Sequence, residues 1–160
     1  MGGVEVVRAG PADLPTLVRF FRAVAAAERP DEPEAAGHAE AGLRRSLEAW
    51  DWMRSESCLF LLGLVGKEPA GYALAVRIPK ADERAGFLFV DELYVLPAFR
   101  RRGVARSLLR RLQALSREMG LAGIRLLVRP ENAGARALYR SLGFAERETL
   151  FGEWLNIVAG

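Results

Sequence analysis

The sequence is short of the residues that staple small proteins or hold metals. It has one cysteine, Cys58, and one histidine, His38, in 160 residues. A single cysteine excludes an intramolecular disulfide, and one cysteine with one histidine cannot build a zinc site. Long apolar runs are missing too: none approaches the roughly 20 residues that a membrane-crossing helix needs. The N-terminal stretch MGGVEVV lacks the apolar core of a signal peptide, and Val6 stands where a myristoylation signal after Gly2 requires Ser or Thr. No repeat, linker or low-complexity tract interrupts the chain. The expectation is a soluble, cytoplasmic protein with one domain over residues 1–160, with no metal and no membrane partner.

What the chain does have is apolar content, 51% against 27% charged. That excludes disorder, and a chain of this length can bury about two-thirds of its unfolded surface around a core. The net charge of +3 is unevenly spread. Residues 100–129 hold nine basic side chains against Glu118 alone, whereas residues 1–99 hold eleven basic and fifteen acidic ones. A polyanion should dock on the basic block, and a cation elsewhere.

The pattern alternates strands and helices. Val4–Arg8 reads as a strand, and Asp13 can cap a helix reaching Ala27 with Leu14, Leu17, Val18, Phe21 and Val24 at helical spacing. A loop with four carboxylates follows (Glu28, Asp31, Glu32, Glu34). A second helix is expected from Gly37 to about Met53, with Leu43, Leu47, Trp50 and Trp52 at its apolar positions. Leu59–Val65 and Ala70–Ile78 read as a hairpin turned at Gly66-Lys67-Glu68-Pro69, and Phe87–Val95 as a long strand. A helix through Met119, stopped by Gly120, precedes a buried strand Ile124–Val128. Asn132 is placed to cap a helix that buries Ala135, Leu138 and Leu142 and ends at Gly143, and Phe144–Leu150 and Trp154–Val158 read as a last pair of strands. The fold class is α/β, on a mixed sheet.

The stretch VDELYVLPAFRRRGVA (Val90–Ala105) organises the rest. It is a strand, a loop broken by Pro97, three arginines, a glycine and the start of a strongly apolar-periodic helix. A helix N-terminus offers unpaired N–H groups and the positive end of the helix dipole, so it attracts phosphate. Arg100, Arg101 and Arg102 add charge, and Gly103 lets main chain approach a bulky anion. The site expects a phosphorylated ligand.

These residues resemble the GNAT superfamily of acyl-CoA-dependent N-acetyltransferases. The resemblance rests on Arg100-x-x-Gly103-x-Ala105, the LYVLPAF before it, and Asn132 with ALYRSLGF some thirty residues on. Ala105 stands where a final glycine is commoner, and both occur in the family. The resemblance implies a mixed, mostly antiparallel central sheet flanked by helices, in the order βααβββαβαββ. It implies acetyl-CoA as co-substrate, a small-molecule amine as acceptor, and a homodimer as a candidate assembly, nearest in layout to the diamine acetyltransferase type. The amides of Arg101, Arg102, Gly103, Val104, Ala105 and Arg106, with Ser107, would hold the pyrophosphate. Leu93, Tyr94 and Val95 would pair through their backbone with the pantetheine arm, and Asn132 would bond it. Tyr139 would protonate the departing thiolate.

An alkylamine is a cation at neutral pH and must lose a proton before it attacks. Asp91 and Glu92 are the candidate bases, Asp91 first. Strand alternation sends them to opposite faces unless a bulge intervenes. Two other functions stay open: a non-catalytic acyl-CoA-binding or regulatory module, and an acetyltransferase of protein N-termini or lysines. Leu127 disfavours the N-terminal version, since relatives acetylating a ribosomal protein N-terminus carry a glutamate there. A nucleic-acid-binding helix over Arg100–Arg117 lacks the stacking aromatics or helix-turn-helix partner it would need. No Gly-x-Ser-x-Gly elbow, Walker loop or GxGxxG competes. Cys58 reads as a small buried hydrophobe and His38 as a loop residue.

Overall fold

The computed structural model describes residues 3–156. They fall into two compact units, one up to Leu127 and one from Val128. The first unit carries a five-stranded sheet in sequence order: β1 (Val4–Arg8), β2 (Cys58–Val65), β3 (Glu68–Ile78), β4 (Phe87–Val95) and β5 (Gly123–Leu126). All neighbours are antiparallel except β4 and β5. Three helices belong to this unit, α1 (Leu14–Glu28), α2 (Ala35–Ala49) and α3 (Val104–Glu118).

Alternation along the strands divides the core in two. Leu59 and Leu61 of β2, Ala73 and Ala75 of β3, and Leu88 and Val90 of β4 pack with Val104, Leu108 and Leu112 of α3. Phe60, Leu62 and Tyr72 lie on the other face with Leu17 and Phe20 of α1 and Leu43 of α2. The alanines of β3 leave room for the α3 leucines, which are spaced one helical turn apart. Leu108 and Leu112 have no exposed surface, and truncating either to alanine would cost about 2–5 kcal/mol. α3 ends in a Schellman motif: Gly120 has φ +65° and Leu121 N–H donates to Ser116 O at 2.9 Å.

Several expectations shift. The second helix stops at Ala49, so Trp50 is exposed and Trp52 stacks on Phe60 at 5.3 Å, its Nε1 donating to Ser46 Oγ. His38 lies in α2, not a loop. β5 is shorter than expected and only half-buried, with Leu127 beyond it exposed. Asp13 precedes α1 but does not cap it; its Oδ2 accepts from Gly10 N at 2.8 Å, holding the Pro11–Asp13 turn.

The largest departure is at the end. The second unit holds α4 (Ala133–Ser141), and residues 144–156 form no strand; positions 157 and 158 of the expected last strand lie outside the described residues. Leu150, Phe151, Trp154 and Leu155 are exposed. Alternation alone does not make a strand: a lone hairpin is marginal in water without a third strand or a packed face. Ala135 and Leu138 of α4, and Leu142 just after it, are half-buried where burial was expected. Among the described residues no helix is long and apolar enough to cross a membrane.

Candidate active site

The centre of the first unit is a fault in β4. Leu74 of β3 pairs with Glu92, but the next residue, Ala75, pairs with Val90. Asp91 is therefore the extra residue of a β-bulge. The bulge resets the alternation. Before it, the even positions Leu88 and Val90 face α3; after it, the odd positions Leu93 and Val95 do, and Tyr94 joins the α1–α2 side. The parallel pairing with β5 stops at Val90↔Leu126, so residues 91–95 have no strand on that side among the described residues.

A pair of glycines seats the neighbouring helix. Gly63 and Gly71 are cross-strand partners on β2 and β3. A Cβ on Gly71 would lie 2.6 Å from Tyr94 O, 3.0 Å from Val104 Cγ1 and 3.1 Å from Val95 Cγ2, and one on Gly63 would meet the same Val104 methyl at 3.0 Å. Their bare backbone lets the first residue of α3 settle on the sheet beside the end of β4. Leu96 N–H, donating to Ala70 O at 2.9 Å, starts the loop, and a 3₁₀ turn over Pro97–Phe99 carries it on.

The loop then enters α3 through left-handed backbone. Arg101 has φ +64° and Gly103 φ +81°. A non-glycine residue pays a steric penalty there. Gly103 is the N-cap and supplies no side-chain cap to the helix. The helix opens with Ser107 N–H donating to Gly103 O at 3.0 Å. The amides of Val104 and Ala105 precede that bond, at the positive pole of a fifteen-residue helix. A Cβ on Gly103 would meet nothing within 4 Å. Glycine is needed for its φ, and the space beside it is open.

The three arginines part company. Arg102 lies over the Phe99 ring at 5.3 Å. Arg100 turns back: its Nε donates to Val95 O at 3.1 Å, its Nη2 lies 3.8 Å from Glu28 Oε1, and its guanidinium sits over the Tyr94 ring.

On the α1–α2 face an aromatic wall leads to two carboxylates. Trp52 stacks on Phe60, Phe60 on Tyr72 at 5.0 Å, and Tyr72 adjoins Tyr94 at 6.4 Å. Tyr72 OH donates to Glu92 Oε2 at 2.7 Å, and Tyr94 OH to Glu28 Oε1. Burial, then the Glu92 hydrogen bond, pushes the Tyr72 phenol far up; the charge of Asp91 adds to the push, so both β4 carboxylates act on this hydroxyl. Burial and the Glu28 hydrogen bond push Tyr94 up to about 12. Of the loop acids, Glu32 pairs with Arg29 and Glu34 with His38 at 3.8 Å.

In the second unit, Asn132 caps α4, its Oδ1 accepting from Ala135 N at 3.1 Å. Tyr139 lies against Phe144 at 5.8 Å, and burial pushes its phenol up. Arg136 grips Glu146 through two nitrogens, at 3.0 and 2.7 Å, and Pro130 O through a third.

Residues 21–144 match the sequence profile of the acetyltransferase (GNAT) family. The chain belongs to the GNAT acetyltransferase family. An uncharacterized N-acetyltransferase of Methanocaldococcus jannaschii is 30% identical over 109 residues, 68% of this chain and 48% of that protein. Thialysine N-epsilon-acetyltransferase of Caenorhabditis elegans is 32% identical over 88 residues, 52% of this chain and 51% of that one. The chain thus spans about half the length of the curated relatives it matches. Among solved structures, the aminoglycoside acetyltransferase AAC(6')-Iy, in complex with a bisubstrate analog, has a TM-score of 0.72 at 18% identity, covering 96% of this chain and 98% of that one. That likeness is one of fold, and it makes the α/β architecture GNAT-like.

The GNAT fold brings Asp91, Glu92, Leu93, Tyr94, Val95 and the loop to Ser107 together in the first unit; Asn132 and Tyr139 stand in the second. Three contributors were missed in the sequence. Gly63 and Gly71 carried a signal, since glycine inside a strand marks a close approach of backbone. Tyr72 looked like any core aromatic of a strand, and nothing local marked it. Glu28 reads as one acid of the loop, without its ties to Tyr94 and Arg100.

Proposed function

We propose that this GNAT domain transfers the acetyl group of acetyl-CoA to a small cationic primary amine. One observation carries the reading: an α3 N-terminus whose glycine N-cap supplies no side-chain cap, seated by Gly71 against the half of β4 that β5 leaves unpaired among the described residues. The first feature suits a pyrophosphate, and the second suits an extended amide-bearing arm that adds as a strand. Gly103, Val104, Ala105 and Ser107 would hold the phosphates. The backbone of Leu93 and Val95 would pair with the arm and stabilise the oxyanion formed at the thioester carbonyl.

In this reading the acceptor ammonium gives a proton, directly or through water, to Asp91 or Glu92. The neutral nitrogen attacks the thioester carbon, the C–N bond forms, and collapse of the tetrahedral intermediate breaks the C–S bond. The thiolate takes a proton from Tyr139, a phenol that burial holds in its protonated form, and the proton the nitrogen sheds as the neutral amide forms restores the phenol through solvent. The acids Glu28, Asp91 and Glu92 favour a cationic acceptor. The thialysine and aminoglycoside substrates named for relatives are amines of that kind.

The test is release of free coenzyme A thiol from acetyl-CoA with diamines, basic amino acids and amino sugars, beside calorimetry with coenzyme A. Binding with amine-dependent release supports the enzyme. Binding without release, for every amine and for peptide N-termini and lysines, would make the domain an acyl-CoA-binding module.

A further inference from the structure

Arg100 carries the basic start of the loop motif, yet its guanidinium turns back onto the first unit, half exposed, with Nε hydrogen-bonded and Nη2 facing a carboxylate. The trans peptide joining Val95 to Leu96 directs its N–H to Ala70 O on β3. Its carbonyl therefore points the opposite way, to the open side of β4. Arg100 Nε fills that carbonyl at 3.1 Å. The same guanidinium faces Glu28, the last residue of α1, and lies over Tyr94, whose hydroxyl donates to the same Glu28 oxygen. Three elements thus meet at one side chain: the end of α1, the end of β4 and the start of the anion loop.

We infer that Arg100 is a positioning residue, not a phosphate ligand: with Glu28 and Tyr94 it fixes the end of α1 to the end of β4 and closes the edge on which an added strand can pair. The inference rests on the reading given under Proposed function. Consuming the Val95 carbonyl leaves the groups of Leu93 and the Val95 N–H as the open edge, which sets how far along β4 an acyl-carrying arm can lie. Holding Glu28 sets where α1, and the acidic loop after it, stand relative to that arm. The ion pair is half exposed and adds little to stability by itself; its effect is one of geometry.

The test uses the whole chain with Arg100→Ala, Glu28→Gln, Tyr94→Phe and the Arg100→Ala/Glu28→Gln double variant. Calorimetry reads coenzyme A affinity, steady-state kinetics read acceptor KM and kcat, and hydrogen exchange reads the last turn of α1. We expect coenzyme A affinity within about threefold of wild type, far less than the roughly tenfold or greater loss of a charge-assisted contact. We also expect faster exchange in the last turn of α1 in both Arg100→Ala and Glu28→Gln. Acceptor KM should rise in both single variants, and the double variant should be no worse than Arg100→Ala, because both substitutions break one tie. A tenfold loss of coenzyme A affinity in Arg100→Ala alone, or additive effects, would overturn the inference. If the wild type binds coenzyme A without turnover, the enzyme reading fails, while exchange and calorimetry still decide the role of Arg100.

Discussion

Tyr72 OH donates to Glu92 Oε2 at 2.7 Å, so the second carboxylate of the β4 pair is held while the first, Asp91, stands at the bulge. The neighbours differ in sequence by one position but in structure by their engagement. A base that works through water needs an oxygen free to accept, and Glu92 spends one on a phenol. We therefore expect Asp91→Asn to lower kcat by about 10²-fold or more, the usual scale for losing a general base, and Glu92→Gln to do less. The loss should be greatest at low pH, where neutral amine is scarcest. Tyr72→Phe frees the Glu92 oxygen; if Glu92 is the base, that variant should keep its rate and Glu92→Gln should be the more damaging. Equal, small effects in both acid variants would move the base elsewhere.

The glycines separate conformation from clearance. Gly103→Ala meets no atom, but its φ of +81° costs about 1 kcal/mol for a residue with a Cβ. Coenzyme A binding should survive it. Gly103→Glu puts bulk and negative charge in the open space beside the helix end, and should abolish binding in a folded protein. Gly71→Ala is the reverse case. Its Cβ would press on a backbone oxygen at 2.6 Å, a contact that cannot swing aside. We expect about 1–3 kcal/mol of destabilisation, the scale of overpacking, seen as a lower thermal midpoint. Unchanged coenzyme A affinity in Gly103→Glu would remove the anion site from this loop.

What could be read from the residues followed local rules. The loop from Leu96 to Gly103 was legible because proline, glycine and a strongly periodic helix each constrain backbone at their own position. Asn132 was legible as a cap because the cap bond spans only three residues. The bulge at Asp91 was not, since it depends on the register of Leu74 and Ala75 on the neighbouring strand β3. The engagement of Arg100 with Glu28 joins residues separated by most of the first unit. Phe144–Leu150 failed for the complementary reason: its Ala and Glu residues are weak strand formers, and a strand also needs a partner edge.

Three tyrosines make up the whole complement of the chain, Tyr72, Tyr94 and Tyr139, and burial pushes each one up, with hydrogen bonds to glutamate adding to it in the first two. The native protein should therefore show little phenolate absorbance at the ordinary value near 10. The stability consequence follows in sign. A phenol near 12 in the folded state and near 10 in the unfolded state holds its proton longer when folded, so its contribution is intact below pH 10 and is lost as pH rises toward 12. Thermal midpoints should fall across that window, and fall less steeply in Tyr94→Phe. A normal phenolate titration of the folded protein would contradict the buried arrangement.

Tyr139→Phe keeps the ring and removes the proton. We expect folding and coenzyme A affinity near wild type, and kcat lower by about 10²-fold or more. An unchanged kcat, with acyl transfer shown to limit turnover, would leave Tyr139 as packing for Phe144.

The acidic loop after α1 tests the acceptor class. Sequence reading treats Glu28, Asp31, Glu32 and Glu34 as one field, but Glu28 is tied to Tyr94 and Arg100, Glu32 faces Arg29, and Glu34 faces His38. The pairings are exposed and leave the field only partly neutralised. If the field draws a cationic acceptor, KM for a diamine should rise with salt, because exposed charges are screened over about 10 Å at 0.1 M. Replacing Asp31, Glu32 and Glu34 with their amides should raise KM and leave kcat nearly unchanged, as expected when binding is lost equally from ground and transition states. Glu28→Gln should behave differently, since it also weakens the hold on Arg100 and Tyr94, and its effect should persist at high salt, where pure steering is already screened away. A salt-independent KM, or a preference for neutral or acidic acceptors, would remove the loop from substrate recognition and leave the family assignment untouched.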